Sequence, residues 1–364
     1  MNKYLWQLLW VASLLDGTST LGADTTRINK KRPYRNSYFA VPTLGSSPET
    51  NFYFGAVGLL DRTPTWDSTA RHSVFKTELT YTLNRQFLVQ AEINWTDSTQ
   101  NWVWIGQNAW MRFPENYWGQ GFRSGNQLEL QYDAFRLDLK NAIYRRFYKS
   151  WHLGVLQQFQ DLRFRGFLKN AESIVAADLN SNRSSGLGTG ILSDTRSNLL
   201  NPRNKERFFQ LNVLYHSRAL GGSSNWLGVD LDIRSYYQIS RKSLLAVQLI
   251  SQSRFGKIPF RMTSALGGPM MMRGYYFGRY RDSHLLASQI EYRMELGKWI
   301  GMTAFGSLGQ VYRDLKELKN DPAYAGGLGL RIKVDQKDNT NMRFDFAVTD
   351  LGTTGFYVSF GEAF

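Results

Sequence analysis

Apolar and polar residues alternate with a period of two along most of this chain. Between residues 87 and 96 the apolar positions include Phe87, Val89, Ala91, Ile93 and Trp95, and polar side chains occupy most of the positions between them. A period of two places successive side chains on opposite faces of a β-strand. The same alternation returns from residues 229, 286, 328 and 342, and it predicts an all-β chain.

The alternating runs and the turn residues between them predict roughly 16 strands, an even number as in bacterial membrane barrels. The apolar parity shifts between Tyr132 and Phe135, which predicts a β-bulge. The predicted strands are 35–42, 50–60, 70–83, 86–97, 100–112, 126–140, 147–164, 185–194, 205–217, 225–239, 243–254, 283–296, 299–312, 323–335, 340–349 and 354–364.

The polar face of these strands is charged, and alternation alone is compatible with two architectures. In a soluble sandwich the charged face meets water, whereas in a membrane barrel the apolar face meets lipid and the charged face lines the lumen. The chain contains 11 Trp, 19 Tyr and 23 Phe, and aromatic girdles of this kind flank the apolar band of membrane barrels. We therefore predict a transmembrane antiparallel β-barrel located in the outer membrane of a Gram-negative bacterium.

Connections of two lengths join the predicted strands. Tight turns are predicted at 83–85 and 239–242, and long loops at 113–125, 165–184 and 255–282. Outer-membrane barrels place short turns at the periplasmic end and long loops at the extracellular end. We expect the two kinds of connection at opposite ends of the barrel.

The N-terminal residues are typical of a secretory signal peptide, which we predict at 1–23. Lys3 supplies the positive charge, residues 5–15 form a short apolar core, and small residues near Ala23 suit cleavage. Residues 24–34 are then a short periplasmic segment, and 35–364 form the barrel.

Charge and cysteine content exclude several functions. The net charge is +14, but neither a basic helix nor a zinc motif supports nucleic-acid binding, so we attribute the charge to a lumen and rim facing anionic lipid and lipopolysaccharide. Zero cysteines exclude disulfides and thiol catalysis. His284 adjoins Asp282 and Ser283, but the adjacent Ser283 and His284 point to opposite faces of a strand and cannot form a nucleophile–base relay directly. We expect no enzyme activity, no metal and no cofactor.

The stretch 267–282, GGPMMMRGYYFGRYRD, is too long for a tight turn and too rich in glycine for a strand. Its Arg273-Gly274-Tyr275 resembles the lumen-loop motif of the BamA/TamA outer-membrane superfamily, the bacterial surface antigen barrels. Ile290-Glu291-Tyr292 and the ranges 326–334 and 342–347 resemble the strands that follow in that family. The resemblance implies that 255–282 folds into the lumen of a barrel that inserts or exports proteins.

The resemblance also implies a latch in which Arg273, Gly274 and Tyr275 meet Glu291 on the lumen wall. A guanidinium and a carboxylate form a bidentate pair, and Gly274 lets the backbone turn sharply. The supporting lumen residues are Arg293, Glu295 and Ser307. Ser307 stands where the family usually has Asp, so we expect Arg273 to depend on Glu291 alone or on Glu295.

The final residues carry a second resemblance. Phe356, Val358, Phe360 and Phe364 are expected on one face of the last strand, and they resemble the C-terminal signal that the outer-membrane assembly machinery reads. Relatives also carry periplasmic POTRA domains, for which 24–34 leaves no room, so a short, barrel-only member is expected.

Two functions stay open at this point. A short first strand, 35–42, contains Pro42, which cannot donate to a ladder, and a weak seam there would let the barrel insert or translocate unfolded outer-membrane protein cargo. Alternatively the protein is a passive channel or structural barrel, with 255–282 plugging the lumen.

Overall fold

Sixteen strands form one antiparallel sheet in the computed structural model, and each pairs with its neighbours along the chain. Residues 34–47, 51–67, 69–83, 85–122, 129–169, 179–319, 322–336 and 339–364 are described. The strands of this sheet are β1 (Tyr34–Ser47), β2 (Asn51–Pro64), β3 (Ser73–Thr82), β4 (Phe87–Thr96), β5 (Trp102–Tyr117), β6 (Leu130–Tyr148), β7 (Trp151–Lys169), β8 (Asn182–Asp194), β9 (Arg207–His216), β10 (Trp226–Ser240), β11 (Ser243–Gly256), β14 (His284–Glu295), β15 (Ile300–Tyr312), β16 (Ala323–Asp335), β17 (Thr340–Thr349) and β18 (Thr354–Phe360).

The connection between β11 and β14 contains further structure. A 3-10 helix, Phe260–Met262, precedes a two-stranded sheet of β12 (Ser264–Leu266) and β13 (Tyr280–Asp282). Two other 3-10 helices lie at Arg218–Leu220 and Leu315–Lys319. None of the helices in the described ranges is long and apolar enough to cross a membrane.

The two faces of the sheet have opposite chemistry. On β14 the outward residues Ile290 and Tyr292 are 46% and 39% exposed, whereas the inward Glu291 is fully buried. The outward face of β16 likewise exposes Leu328 and Leu330. A water-soluble protein would bury these apolar side chains and expose the charges. The arrangement suits a wall that touches lipid outside and encloses a charged lumen.

The two ends of the sheet meet, so the sheet curves into a barrel. The rings of Phe39 on β1 and Phe360 on β18 lie with centroids 5.8 Å apart. Ser37 on β1 donates a hydrogen bond to Asp335 on β16 at 3.0 Å, and the Lys76 ammonium donates to Ser359 on β18 at 3.4 Å. The fold is the predicted transmembrane antiparallel β-barrel with a long loop in its lumen.

Every predicted strand has a counterpart, but several bounds were wrong. β1 is not short: it covers 14 residues and pairs with β2 along its whole length, including Pro42 opposite Ala56. β6 and β7 run on to a tight turn at residues 149–150, where Lys149 has a φ of 46°. The register shift between Asp133 and Ala134 lies where the parity of the sequence changes.

The expected separation of turns and loops was also wrong in one respect. Each strand of the sheet is antiparallel to the next one along the chain. The connections that follow the first, third, fifth and every other odd-numbered strand of the sheet therefore lie at one end of the barrel. The tight turn after β3 therefore lies at the same end of the sheet as the C-terminal ends of β5, β7 and β11, from which the long connections start. The turn at 241–242 lies at the opposite end, together with the starts of β1 and β3. The predicted signal peptide at 1–23 and the segment 24–34, except Tyr34, lie outside the described residues.

Candidate functional site in the barrel lumen

The loop 257–283 lies inside the barrel and packs against its wall. Leu266, Met272, Tyr275 and Tyr280 of the loop form a buried cluster with wall residues of β14, β15 and β16. A main-chain hydrogen bond also joins the loop to the connection after β5, since Gly121 N–H donates to the Arg281 carbonyl at 2.7 Å. The β12–β13 pairing holds the base of the loop as a hairpin. The result is an ordered lumen segment that presents Arg273 to the wall.

Arg273 is neutralised by two buried carboxylates. Its Nη2 donates to Glu291 Oε1 at 2.8 Å, and its Nη1 donates to Asp345 Oδ2 at 2.5 Å. The Arg273 side chain is 1% exposed, and both carboxylates are fully buried. Its guanidinium carbon also lies 3.5 Å from the centroid of the Phe305 ring, a cation–π contact.

Asp345 corrects the expectation that Glu291 alone, or Glu295, partners Arg273. Glu295 lies at the barrel rim, is largely exposed and pairs with Lys333 at 3.4 Å. Ser307 is buried, but its hydroxyl donates to the Ala325 carbonyl at 3.4 Å. Asp345 on β17 therefore supplies the negative charge that relatives usually carry at the position of Ser307.

Further arginines extend this site into a network. Arg293 Nε donates to Glu291 at 3.2 Å, and Arg331 Nη1 donates to Asp345 at 2.6 Å. Arg343 lies 3.7 Å from Asp345 and donates to the Pro269 carbonyl of the loop at 3.1 Å. The carboxylates of the wall are thus shared between the loop and the wall itself.

Two glycines of β16 make room for the network. A Cβ at Gly329 would overlap the Asp345 carboxylate and the Arg331 guanidinium, and one at Gly327 would overlap the Phe305 ring. Inward positions without side chains therefore let Phe305 and Asp345 lean toward Arg273. These glycines, Asp345 and Phe305 are the functional candidates that sequence reasoning left out.

Gly274 and Tyr275 attach the loop to β17 and β18. Gly274 has a φ of 100°, and a Cβ there would lie 2.8 Å from Thr349 Cγ2. Its N–H donates to the Tyr357 hydroxyl at 2.9 Å, and its carbonyl accepts from Thr353 at 3.1 Å. Tyr275 is buried and its hydroxyl donates to Asp350. The loop is therefore bound to the strand that closes the sheet.

The expectation that the four C-terminal apolar residues share one face was wrong for Phe364, whereas Phe356, Val358 and Phe360 alternate along β18 opposite Phe346, Phe344 and Met342. Phe356 and Val358 point outward and are 67% and 52% exposed, but Phe360 and Phe364 are 8% and 3% exposed. Gly361 has a φ of 76° and redirects the chain after β18. Phe364 then packs against Tyr236, while Phe360 packs at the seam beside Phe39.

Comparisons with known proteins agree with this architecture. A family model described as the Omp85 superfamily domain matches residues 74–364. A search of the curated proteins finds no match. BamA from Haemophilus ducreyi lacking POTRA domains 1–3 is similar in structure, with a TM-score of 0.53 and 10% identity over 90% of this chain and 69% of that one. CdiB from Acinetobacter baumannii gives a TM-score of 0.52 and 11% identity over 89% of this chain and 59% of that one.

Proposed function

The chain belongs to the Omp85 superfamily, and from that premise we propose that it inserts or translocates other polypeptides through the seam between β1 and β18. It is an outer-membrane barrel of the Omp85 type, and its activity on a cargo is the proposed step. The observation that carries the proposal is the seam. No β-ladder joins β1 to β18 in the part of the chain that the structure describes, although β17 and β18 pair over seven residues.

An edge without a ladder exposes main-chain donors and acceptors that an incoming strand can use. β18 has 7 residues and β1 has 14, so at least half of the free edge of β1 extends beyond β18. The lumen loop is attached to β18 through Gly274 and Tyr357. Arg273 ties the same loop to β14 and β17, so the latch would hold the last hairpin in position while the seam opens.

A disulfide across the seam tests the proposal. The chain has no cysteine, so Phe39→Cys with Phe360→Cys places the only two thiols where two rings now touch. The oxidised protein should lose at least tenfold of its ability to speed the folding of a denatured barrel protein into vesicles, and a reductant should restore it. The matched control is Phe346→Cys with Phe356→Cys, register partners on β17 and β18. Equal activity of the locked and reduced seam variant refutes the proposal.

A passive channel or structural barrel is the second candidate, and one observation favours it. Leu59, Val74, Leu200 and Phe360 form a buried apolar cluster that spans the seam, and exposing it would oppose opening. Steady single-channel current in planar bilayers, unchanged by the Phe39–Phe360 disulfide, would support this candidate. The proposed insertase, with the loop in its lumen, should pass little steady current.

The proposal extends to the partners. We propose that the outward apolar side chains contact acyl chains and lipopolysaccharide, and that the assembly machinery recognises the last strand; the exposure of Phe356 and Val358 supports this. Unfolded outer-membrane protein is the proposed cargo. Nothing in this scheme requires a cofactor or an enzymatic step.

A further inference from the structure

A cavity of about 530 Å³ opens at the end of the barrel opposite the base of the lumen loop. Its lining comes from the turns around 241–242 and 297–301, from Gln336 and Asn339, and from residues 201–204 of the β8–β9 connection. The volume falls in the range of about 300–1,000 Å³ that is typical of ligand pockets. The cavity is lined by Arg293 and Arg331, whose other donors contact Glu291 and Asp345 of the Arg273 network; Arg273 itself does not line it.

The charge of this cavity is strongly positive. Among the described residues that line it, two carry side-chain carboxylates, Glu295 and Glu362, and the lining residue Arg293 also donates to the Phe364 carbonyl at 2.9 Å. Both carboxylates already have cationic partners, since Glu295 pairs with Lys333 and Glu362 lies 2.7 Å from Arg331 Nε and 3.7 Å from Arg293 Nε. The cationic residues that line the cavity are Arg203, Arg241, Lys242, Arg293, Arg331 and Lys333.

Three buried polar atoms of the lining residues have no hydrogen-bond partner among the described residues. They are Arg293 Nη1, Arg331 Nη2 and Thr303 Oγ1. Thr303 is 1% exposed, Arg331 is 3% exposed and Arg293 is 8% exposed. Arg293 and Thr303 are register partners on β14 and β15, and both arginines approach Glu362, so the three side chains are neighbours. Buried donors normally have partners, so these three point to a bound acceptor.

We propose that this cavity binds a phosphate-bearing anion, with Arg293, Arg331 and Thr303 holding the phosphate oxygens. Arg293 Nη1 and Arg331 Nη2 each offer a charged N–H donor to a phosphate oxygen, and the threonine hydroxyl adds a third donor. Arg203, Arg241 and Lys242 are exposed at the mouth and attract the anion. The phosphate is either a free compound or the headgroup of an anionic lipid, because the exposed Trp299 and Ile300 line the cavity on the side of the membrane.

Thr303→Val tests the inner part of the site. The substitution keeps the shape of the side chain and removes a hydroxyl that has no partner among the described residues, so the thermal unfolding midpoint should stay the same or rise. Pyrophosphate binding, measured by titration calorimetry in a phosphate-free non-ionic detergent at low salt, should weaken about tenfold, the loss expected for one hydrogen bond to a charged group. Equal binding by Thr303→Val and the unchanged protein overturns the proposal.

A pair of double variants tests the mouth. Arg203→Ala with Lys242→Ala removes two exposed cations of the lining, and Lys257→Ala with Lys316→Ala removes two exposed cations at the opposite end. The first should weaken pyrophosphate binding at low salt, and the difference should shrink at high salt. The second should leave binding unchanged. Equal weakening by both pairs means that net charge alone attracts the anion, and it overturns the proposal.

Two further arms identify the source of the phosphate. If a lipid headgroup occupies the site, pyrophosphate affinity should fall when nanodiscs of phosphatidylcholine are enriched with phosphatidylglycerol. If the ligand is a free phosphate compound, the affinity should be the same in both. Tighter binding of a tetra-aspartate peptide than of pyrophosphate indicates a carboxylate ligand and refutes the phosphate assignment.

Discussion

Two carboxylates from different strands bind Arg273. They are Glu291 on β14 and Asp345 on β17, which lie 54 residues apart in the sequence. Burying three ionised groups is costly, because each loses its hydration, and a buried ion pair therefore adds little net stability. Removing one partner is different, since it leaves the other charge buried and unpaired. The ion pairs of Arg273 therefore act mainly by holding the lumen loop in one position against the wall.

Removing single carboxylates should therefore destabilise the barrel unequally. Glu291→Gln leaves Arg273 and Arg293 with one acceptor fewer, and Asp345→Asn does so for Arg273, Arg331 and Arg343. We expect a loss of about 3–5 kcal/mol in the free energy of unfolding for Glu291→Gln, the usual cost of breaking a buried pair, and a larger loss for Asp345→Asn. Urea unfolding in detergent, followed by heat-modifiable mobility on gels, measures both.

Glu295→Gln is the matched control. It makes the same change four residues along the same strand, but at a largely exposed carboxylate paired with Lys333. An exposed pair contributes about 0–1 kcal/mol, so this variant should unfold almost like the unchanged protein. Equal losses for Glu291→Gln and Glu295→Gln would show that the lumen network has no special role.

Sequence reasoning could find Glu291 but not Asp345, and the reason is register. Alternation places both residues on the inward face, but it does not say which inward residues stand at the same height. The ladders decide this: Glu291 pairs with Phe305, Phe305 with Gly327, and Asp345 with Gly329, one inward position further along β16. Three successive registers must be known before Asp345 can be placed beside Arg273, and period-two patterns fix none of them.

Among the elements, the strands follow from local pattern while the β8–β9 connection does not. Residues 195–206 cross the end of the barrel and contact its opposite wall. His72 N–H donates to the Ser197 carbonyl at 2.9 Å, and Glu362 N–H donates to the Leu200 carbonyl at 2.7 Å. Leu200 packs with Leu59 and Val74. These contacts join residues that are far apart in the sequence. The period-two pattern depends on neighbouring residues, so it predicts only that a connection joins β8 and β9.

Leu200→Asp should release this segment without unfolding the barrel. The substitution places a carboxylate in an apolar cluster where Leu200 is 9% exposed, and it removes buried apolar area worth about 2–5 kcal/mol for a leucine truncated in a core. Because about 1.4 kcal/mol corresponds to a factor of ten, trypsin in detergent should cleave at Arg196, Arg203 or Lys205 at least tenfold faster. The control is Leu220→Asp, at an exposed leucine of the β9–β10 connection. Unchanged cleavage of Leu200→Asp would contradict an anchored segment.

At the scale of the whole molecule, the medium around the barrel determines which face of each strand points outward. The sequence predicts the barrel because charged and apolar positions alternate over the full length of long strands, and the prediction of a membrane barrel is confirmed. The C-terminal residues could not be placed by the same rule. Gly361, with a φ of 76°, ends the alternation and turns Phe364 toward Tyr236.

A charge placed on the outer face tests this view of the whole molecule. Leu328 lies near the middle of β16 and is 59% exposed, and Tyr324 lies near the loop end of the same strand and is 57% exposed. Arginine on the lipid face costs about 2–4 kcal/mol at the bilayer midplane and about 0–1 kcal/mol near the interface. Leu328→Arg should therefore lose more free energy of folding into lipid vesicles than Tyr324→Arg, by roughly 2 kcal/mol. In detergent micelles the difference should shrink, because water reaches the outer face more easily. If both arginines cost the same in vesicles, the exposed apolar face of β16 does not meet the bilayer core, and the inside-out arrangement would need another explanation.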